Sequence, residues 1–449
     1  MVVSEPGSER GGRIRALSGL ARGHYARISG SGVTSVLATA FLGQALLLLS
    51  GPLLARALGP TGRGEFALFL ISASVVTQLF GLGLPASVTF HLAARRVALA
   101  QLRRWARGWL VLVVCAAAVT GVLLFTLQQF NRLPRTGGLG LMGAALAAAI
   151  MFQTMQQAVL QGSQLIAQLN RIRILPAAGL VVTALSSYVI AIHDVAIVIP
   201  LYTVFMLIAA GVAVWTTGRA GSTVYFKSSV SRSDVFRYGR RALVSSVNPL
   251  DSFSVDQAAV GVVLSANSLG IYVVAAAFGN LSSFLLSSLG LVATPRLAAA
   301  SGSRPEERRL TGLFLAAGVA LAGAISLTLI LLVPILIPLF FGRAFEAAVP
   351  VARILIASGF FLAFRRLLTA VSQGLGIPGA ASTAEGVTFF CFLAGLAVLV
   401  PAHGVEGAAT ALLSAGVLAS ALLLHSIARR LRAEEGRGPS LSEVADPDP

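Results

Sequence analysis

Charge is what this sequence lacks most. Only 11% of its 449 residues are charged and just 17 are acidic, against roughly a quarter charged in an ordinary soluble domain. A chain that is also 56% hydrophobic has too little polar surface for the several globular units its length would otherwise suggest. Cysteine is nearly missing. Cys115 and Cys391 both lie inside apolar runs, which excludes a disulfide scaffold or a thiolate metal site. The five histidines, His24, His91, His193, His403 and His425, are scattered without metal-ligand spacing. There is no phosphate-cradling glycine loop with lysine, no nucleophile elbow and no long outer loop; the longest outer connection predicted, 57–65, has nine residues. Enzyme chemistry is left without a place to happen, and no cofactor site is expected.

What is present is apolar sequence in long runs, with mean hydropathy +0.84. Spans of about 20 residues are predicted near 33–56, 66–90, 108–129, 138–160, 174–192 and 195–217. A second set is predicted near 238–263, 270–294, 311–340, 347–371, 378–400 and 404–427. The expected fold is all-α: a polytopic integral membrane protein of about 12 transmembrane helices.

The net charge of +17 does not indicate nucleic acid, because no basic stripe interleaved with aromatics exists. Twenty-eight of the 34 basic residues fall in alternate loops on the side of the N-terminus and five on the other side. The positive-inside rule therefore predicts cytoplasmic termini for a multi-pass protein of the bacterial cytoplasmic membrane. Residues 1–31 carry Arg10, Arg13, Arg15, Arg22 and Arg27 but no short apolar core with a cleavage site, so they are no cleaved signal. Ile14, Leu17, Ala21, Tyr25 and Ile28 recur at helical spacing and predict an amphipathic interfacial helix. The tail 429–449, with Glu434, Glu435, Asp446 and Asp448 among Pro, Gly and Ser, is expected to be disordered.

The most basic loop, 218–241, divides the spans evenly. The expected organisation is a first lobe over 32–218, a linker over 219–237 and a second lobe over 238–428. Both lobes begin on the same side, so a repeat between them is parallel. Gly64-Glu65-Phe66 and Gly270-Ile271-Tyr272 open equivalent spans, each followed by a Gly-Leu pair, Gly83-Leu84 and Gly290-Leu291, and then by Pro85 and Pro295.

Ionisable groups within the membrane cost roughly 2.5–3.5 kcal/mol or more and so need a partner, a wet cavity or a function. The seventh span carries Asn248-Pro249-Leu250-Asp251, with Asp256 a little beyond; Pro249 frees the carbonyl of Ser245. Glu385 lies on the eleventh span and Thr410 on the twelfth. Asp251, Asp256, Glu385 and Thr410 are candidates for a coupling-ion site, and pairing of the acids with Arg365 or Arg366 is the competing reading. The two arginines either snorkel to headgroups or hold a phosphate bidentately. A Glu346 to Arg353 salt bridge is expected near the other face. Gln153, Gln157 and Gln161 line one helical face with Gln156 beside it, suited to sugar hydroxyls or to interhelical hydrogen bonds. Gln44 and Gln78 are single polar groups of the same kind.

Particular stretches resemble the polysaccharide-transport family of bacterial flippases. These are Leu54-Ala55-Arg56-Ala57-Leu58-Gly59-Pro60 with Gly62-Arg63-Gly64-Glu65-Phe66-Ala67-Leu68, then Leu339-Phe340-Phe341-Gly342-Arg343-Ala344-Phe345, and Pro401-Ala402-His403-Gly404-Val405-Glu406-Gly407-Ala408-Ala409. The likeness runs over roughly 32–428 and rests on turn and packing signals. It implies membership of the multidrug, oligosaccharidyl-lipid and polysaccharide exporter superfamily, with two six-helix lobes around a central cavity and alternating access. The implied cargo is undecaprenyl-diphosphate-linked oligosaccharide, a precursor of O-antigen, lipopolysaccharide or exopolysaccharide. Polysaccharide polymerase or ligase machinery and a coupling H⁺ or Na⁺ are implied partners. On that reading Arg365, Arg366, Gln44, Gln78, Gln153 and Gln157 line the substrate cavity. Twelve spans depart from the fourteen of the lipid II flippase branch. The competing functions are cation-coupled export of drugs or small molecules, a membrane glycan polymerase or ligase, and a non-transporting scaffold.

Overall fold

The computed structural model describes residues 8–94, 97, 99–220, 230–246, 254–300 and 303–433. Its helices are α1 (Ser8–Gly81), α2 (Leu84–Ala93), α3 (Leu99–Gln129), α4 (Leu139–Gly162), α5 (Ile166–Val189), α6 (Val195–Ala220) and α7 (Arg232–Ser246). They continue as α8 (Val255–Val263), α9 (Ala266–Gly279), α10 (Leu281–Ala299), α11 (Arg304–Phe341), α12 (Ala348–Gly374) and α13 (Pro378–Ala433). A short 3₁₀ turn, Arg343–Phe345, joins α11 to α12. No strand occurs among the described residues. Among the described residues, eight helices are long and apolar enough to cross a membrane. Their outward faces suit hydrocarbon: Val111, Val114, Val122 and Phe125 of α3, and Leu327, Leu331 and Ile335 of α11, are all more than half exposed at helical spacing.

Two of the long helices turn back on themselves. Gly59 has φ +67 and breaks α1. Ser35 accepts a 2.7 Å hydrogen bond from Asn170 while Thr89 Oγ1 donates to the carbonyl of Ala158. Both contacts lie beside the 163–165 turn, so residues 35 and 89 share one end of the bundle and the chain reverses between them. Gly404, with φ +58, breaks α13 in the same way. Gly407 there lies so close to Leu399 that a Cβ would stand 2.0 Å from its carbonyl oxygen.

The remaining passes are composite. α1 passes into α2 through Leu82 and Gly83, both with positive φ, and α9 passes into α10 through Asn280. With the two reversals and these breaks the described path follows the predicted spans, the seventh only outside 247–253. Four details differ from the sequence reading. The 57–65 connection is helical except at Gly59. The second and eighth spans, expected to be continuous, are each broken, the one at left-handed Gly83 and the other beside Gly279, which is pressed against α12. The fifth span starts at Ile166, not near 174. Its polar first turns are held inside: Asn170 bonds Ser35, and Gln153 Nε2 donates to the Ile172 carbonyl. The N-terminal stretch from Ser8 is continuous with the first span. The stretch 247–253, with Pro249 and Asp251, lies outside the described residues, as does 434–449.

At the end carrying Gly59, which we call the turn end, a single hydrophobic core joins both halves of the chain. Leu54, Phe66 and Phe69 share it with Leu269, Tyr272, Ile337 and Phe345. The tightest crossing is between α1 and α9. A Cβ on Gly64 would lie 1.7 Å from the Ala266 carbonyl oxygen, and one on Gly270 would lie 1.9 Å from that of Pro60. The Arg132 guanidinium donates to the Leu264 carbonyl, and Arg56 Nη2 donates to that of Leu339 at 2.5 Å.

At the opposite end, the linker end, the cores separate. One cluster draws only on the second half, around Leu286, Phe314, Leu367 and Leu423. Another gathers Val76, Trp109, Val113 and Met151 of the first half with Val235 of α7. The start of α7 is capped by Ser231, whose N–H and hydroxyl both donate to the Asp234 carboxylate; these hydrogen bonds hold that carboxyl below its ordinary pKa. α7 lies on α2: Ser87 Oγ donates to the Val235 carbonyl at 2.7 Å, and Phe90 stacks on Tyr238 with centroids 4.6 Å apart.

Candidate functional site

The costly polar groups fall into two arrangements. In the first, Arg365 of α12 is fully buried and is the largest side chain so enclosed. Its guanidinium donates to and ion-pairs with the Glu385 carboxylate of α13, whose side chain is 17% exposed. A buried guanidinium needs a charge partner at hydrogen-bond range, and Glu385 is placed to be one. These two residues were assigned to different roles from sequence; the fold joins them as one neutral unit tying α12 to α13.

The second arrangement is a polar cavity of about 90 Å³ enclosed by α8, the α9–α10 break, α12 and α13. Asp256, Gln257, Asn280, Ser358 and Arg366 line it. Asp256 is 7% exposed and accepts a 2.7 Å hydrogen bond from the hydroxyl of Tyr272, itself fully buried. The buried Ser358 hydroxyl meets no hydrogen-bonding partner in the protein, so its partner has to come from the cavity. The adjacent wall is tight: a Cβ on Gly359 would stand 1.9 Å from the Gly279 carbonyl oxygen. The space is large enough for several waters, and its polar lining suits water, a proton carrier or a small ion.

Arg366 and Asp256, one read from sequence as a substrate ligand and the other as a coupling group, thus share one cavity. Asp251 lies outside the described residues. Thr410 does not reach the cavity; its hydroxyl donates to the carbonyls of Glu406 and Gly407 in its own helix. Gln153 is buried and spent on the Ile172 carbonyl. Gln157 and Gln78 are half-buried and Gln44 is exposed. The expected Glu346–Arg353 pair is not formed: both side chains are exposed, and both belong to a short turn and first helical turns that point apart from the core. Tyr272, Ser358, Gln257 and Asn280 went unnoticed in the sequence. A hydroxyl or amide one turn from a suspected carboxylate was the available signal, as Gln257 beside Asp256 illustrates. No group of His, Cys, Asp and Glu suited to a metal ion occurs among the described residues.

No protein-family model matches the chain, and no curated protein matches it by sequence. Solved structures do match in fold. A multidrug-resistance MATE transporter of the MOP superfamily, in an inward-facing conformation, superposes with TM-score 0.67 at 14% identity, over 90% of this chain and 100% of that one. The lipid II flippase MurJ, inward closed, gives 0.66 at 14% identity over 88% of each chain. A MOP superfamily transporter from Pyrococcus furiosus, described as having a binding pocket of reversed polarity, gives 0.55 at 14% identity over 90% and 96%. The chain therefore has the fold of MOP superfamily transporters, a multi-pass helical membrane architecture, and these neighbours are transporters and flippases, not enzymes.

Proposed function

We propose that this protein is a flippase for polyprenyl-diphosphate-linked oligosaccharide, working by alternating access between two six-helix lobes, 32–218 and 238–428. The observation that carries the reading is the cavity that holds Asp256 and Arg366 together inside a bundle whose exterior is hydrocarbon-compatible. A glycan headgroup cannot cross about 30 Å of hydrocarbon unaided, and the polar residues retained here are those that a charged, hydroxylated cargo and a driving ion require. Separate cores at the linker end and a shared one at the turn end support a state closed at the turn end. The positive-inside distribution makes the linker end cytoplasmic.

In this reading Asp256 is the coupling group. The driver in this reading is a proton taken up by the Asp256 carboxylate. Protonation weakens the carboxylate's hold on the Tyr272 hydroxyl, which releases α8 from α9 next to the break at Asn280. Arg365, already matched by Glu385, keeps α12 and α13 together while the lobes rock.

The test is the lipid-linked glycan of cells lacking this gene, with sidedness read by an impermeant glycan label. Accumulation of inward-facing diphosphate-linked glycan with loss of surface polysaccharide is expected, reversed by the wild-type gene and not by Asp256→Asn or Arg366→Gln. An intact surface polymer and unchanged lipid-linked glycan would overturn the proposal. A second reading, cation-coupled export of small molecules, is favoured by the likeness to MATE transporters and by the same buried Asp256; drug sensitivity of the deletion strain with normal glycan would establish it instead.

A further inference from the structure

A pocket of about 500 Å³ lies near the linker end, lined by α2, α3, α4, α6 and the start of α7. Its walls are almost wholly apolar. Trp105, Trp109, Phe152, Met155 and Phe236 form much of the lining, and Leu110 and Val214, each over 40% exposed, stand at its lipid-facing rim. A cavity this size is in the range of pockets that enclose small molecules. In a membrane the apolar material that reaches such an opening is a lipid chain.

Two further observations narrow the occupant. Trp109 is only 8% exposed, and its indole N–H meets no acceptor in the protein. A buried donor of this kind calls for a partner, and within an otherwise hydrocarbon pocket the partner must be an acceptor carried by the ligand. The second observation is charge. Arg219 on α6, next to the pocket-lining Gly218, is exposed at the linker end. Arg219 lies over the ring of Trp215, 4.1 Å from its centroid, an aromatic and cationic pair of the sort found at headgroup level.

The geometry points to a binding site for an anionic, ester-linked phospholipid of the linker-side leaflet. One acyl chain fills the Trp105–Trp109 pocket, the ester carbonyl accepts from the Trp109 indole, and the headgroup phosphate meets Arg219. A polyprenyl diphosphate fits less well, because its hydrocarbon begins directly at the phosphate and offers no carbonyl at the depth of Trp109. Val235 and Phe236 belong to α7, which opens the second half of the chain, and the other walls belong to the first half. A bound chain therefore pins α7 to α2 at the seam already marked by the Ser87–Val235 hydrogen bond.

The chain's three tryptophans make this directly measurable. The variant Trp215→Phe leaves only the two pocket residues as fluorophores. Full-length protein is reconstituted in phosphatidylcholine vesicles containing increasing fractions of phosphatidylglycerol brominated along its acyl chains, or of brominated phosphatidylcholine. Half-maximal quenching is expected at a several-fold lower fraction of the brominated anionic lipid. Arg219→Gln is expected to abolish that preference, and Trp109→Phe, read through Trp105, to weaken it, each with an unchanged melting temperature. Equal quenching by the two lipids would overturn the site, as would a preference that survives loss of Arg219. Displacement of the brominated lipid by polyprenyl phosphate, but not by unlabelled phosphatidylglycerol, would overturn it in favour of a cargo-tail site. No quenching by either lipid would mean that the chain itself fills the pocket.

Discussion

Replacing Gly64 with alanine should drive the turn end open. The new Cβ would stand 1.7 Å from the Ala266 carbonyl oxygen and 2.6 Å from its carbon, where ordinary contact begins near 3.4 Å. Both obstacles are backbone, so no side chain can rotate away, and α1 and α9 must part by about 1.5 Å or more at their crossing. A gap of 0.5–1 Å already forfeits a quarter to a half of a dispersion contact. The shared core around Phe66, Leu269 and Tyr272 loosens accordingly, and the Arg132 contact with Leu264 is stretched. Overpacking of this kind costs roughly 1–3 kcal/mol, which corresponds to a rise of roughly 5- to 150-fold in the open population. The assay replaces Cys115 and Cys391 with serine and introduces Ala67→Cys, a position 5% exposed one turn beyond Gly64. The rate of labelling by an impermeant maleimide then reports opening. Gly64→Ala should raise that rate by such a factor, and Gly270→Ala should do the same, since its Cβ meets Pro60 at 1.9 Å. A folded Gly64→Ala protein with an unchanged labelling rate would refute the idea that this crossing closes the turn end.

Three other outcomes follow from the same structure. Arg365→Gln or Glu385→Gln alone should cost about 3–5 kcal/mol by stranding a buried charge, while Arg365→Met with Glu385→Leu should recover most of it; thermal unfolding in detergent distinguishes these. Gly407→Ala should prevent the last hairpin from closing, because its Cβ would lie 2.0 Å from the Leu399 oxygen, and is checked by the yield of monodisperse protein. Asp256→Asn should leave folding intact but abolish the dependence of transport on a pH gradient, whereas Tyr272→Phe should retain it in weakened form; both are read in proteoliposomes.

Much of this was legible in the sequence, and the exceptions have physical reasons. The reversals at Gly59 and Gly404 stood in recognisable turn sequences, and the matched Gly64 and Gly270 marked a repeat before their contact was known. Pairing of Arg365 with Glu385 was one of two readings on offer, since span positions do not say which way an arginine faces. The break at Asn280 was not legible. No proline marks it, and it lies beside the close approach of Gly359 to Gly279, a contact between residues about 80 apart in sequence. The early start of α5 was hidden by Asn170, Arg171 and Arg173, whose polarity lowers hydropathy, although Asn170 is satisfied by Ser35. Trp105 and Trp109 read as ordinary apolar residues, because a hollow is a property of several helices at once.

The crossing of α1 and α9 has a consequence for assembly. Gly64 meets the residue four before Gly270, and Gly270 meets the residue four before Gly64. Residue and counterpart exchange places, which is the hallmark of an isologous interface between two identical subunits, here fused into one polypeptide. Such a patch is self-complementary, so each half of the chain carries the whole recognition surface. Expressed as separate polypeptides, the halves would compete between pairing with each other and pairing with themselves, and the covalent tether at 219–237 is what makes the mixed pair the one that forms.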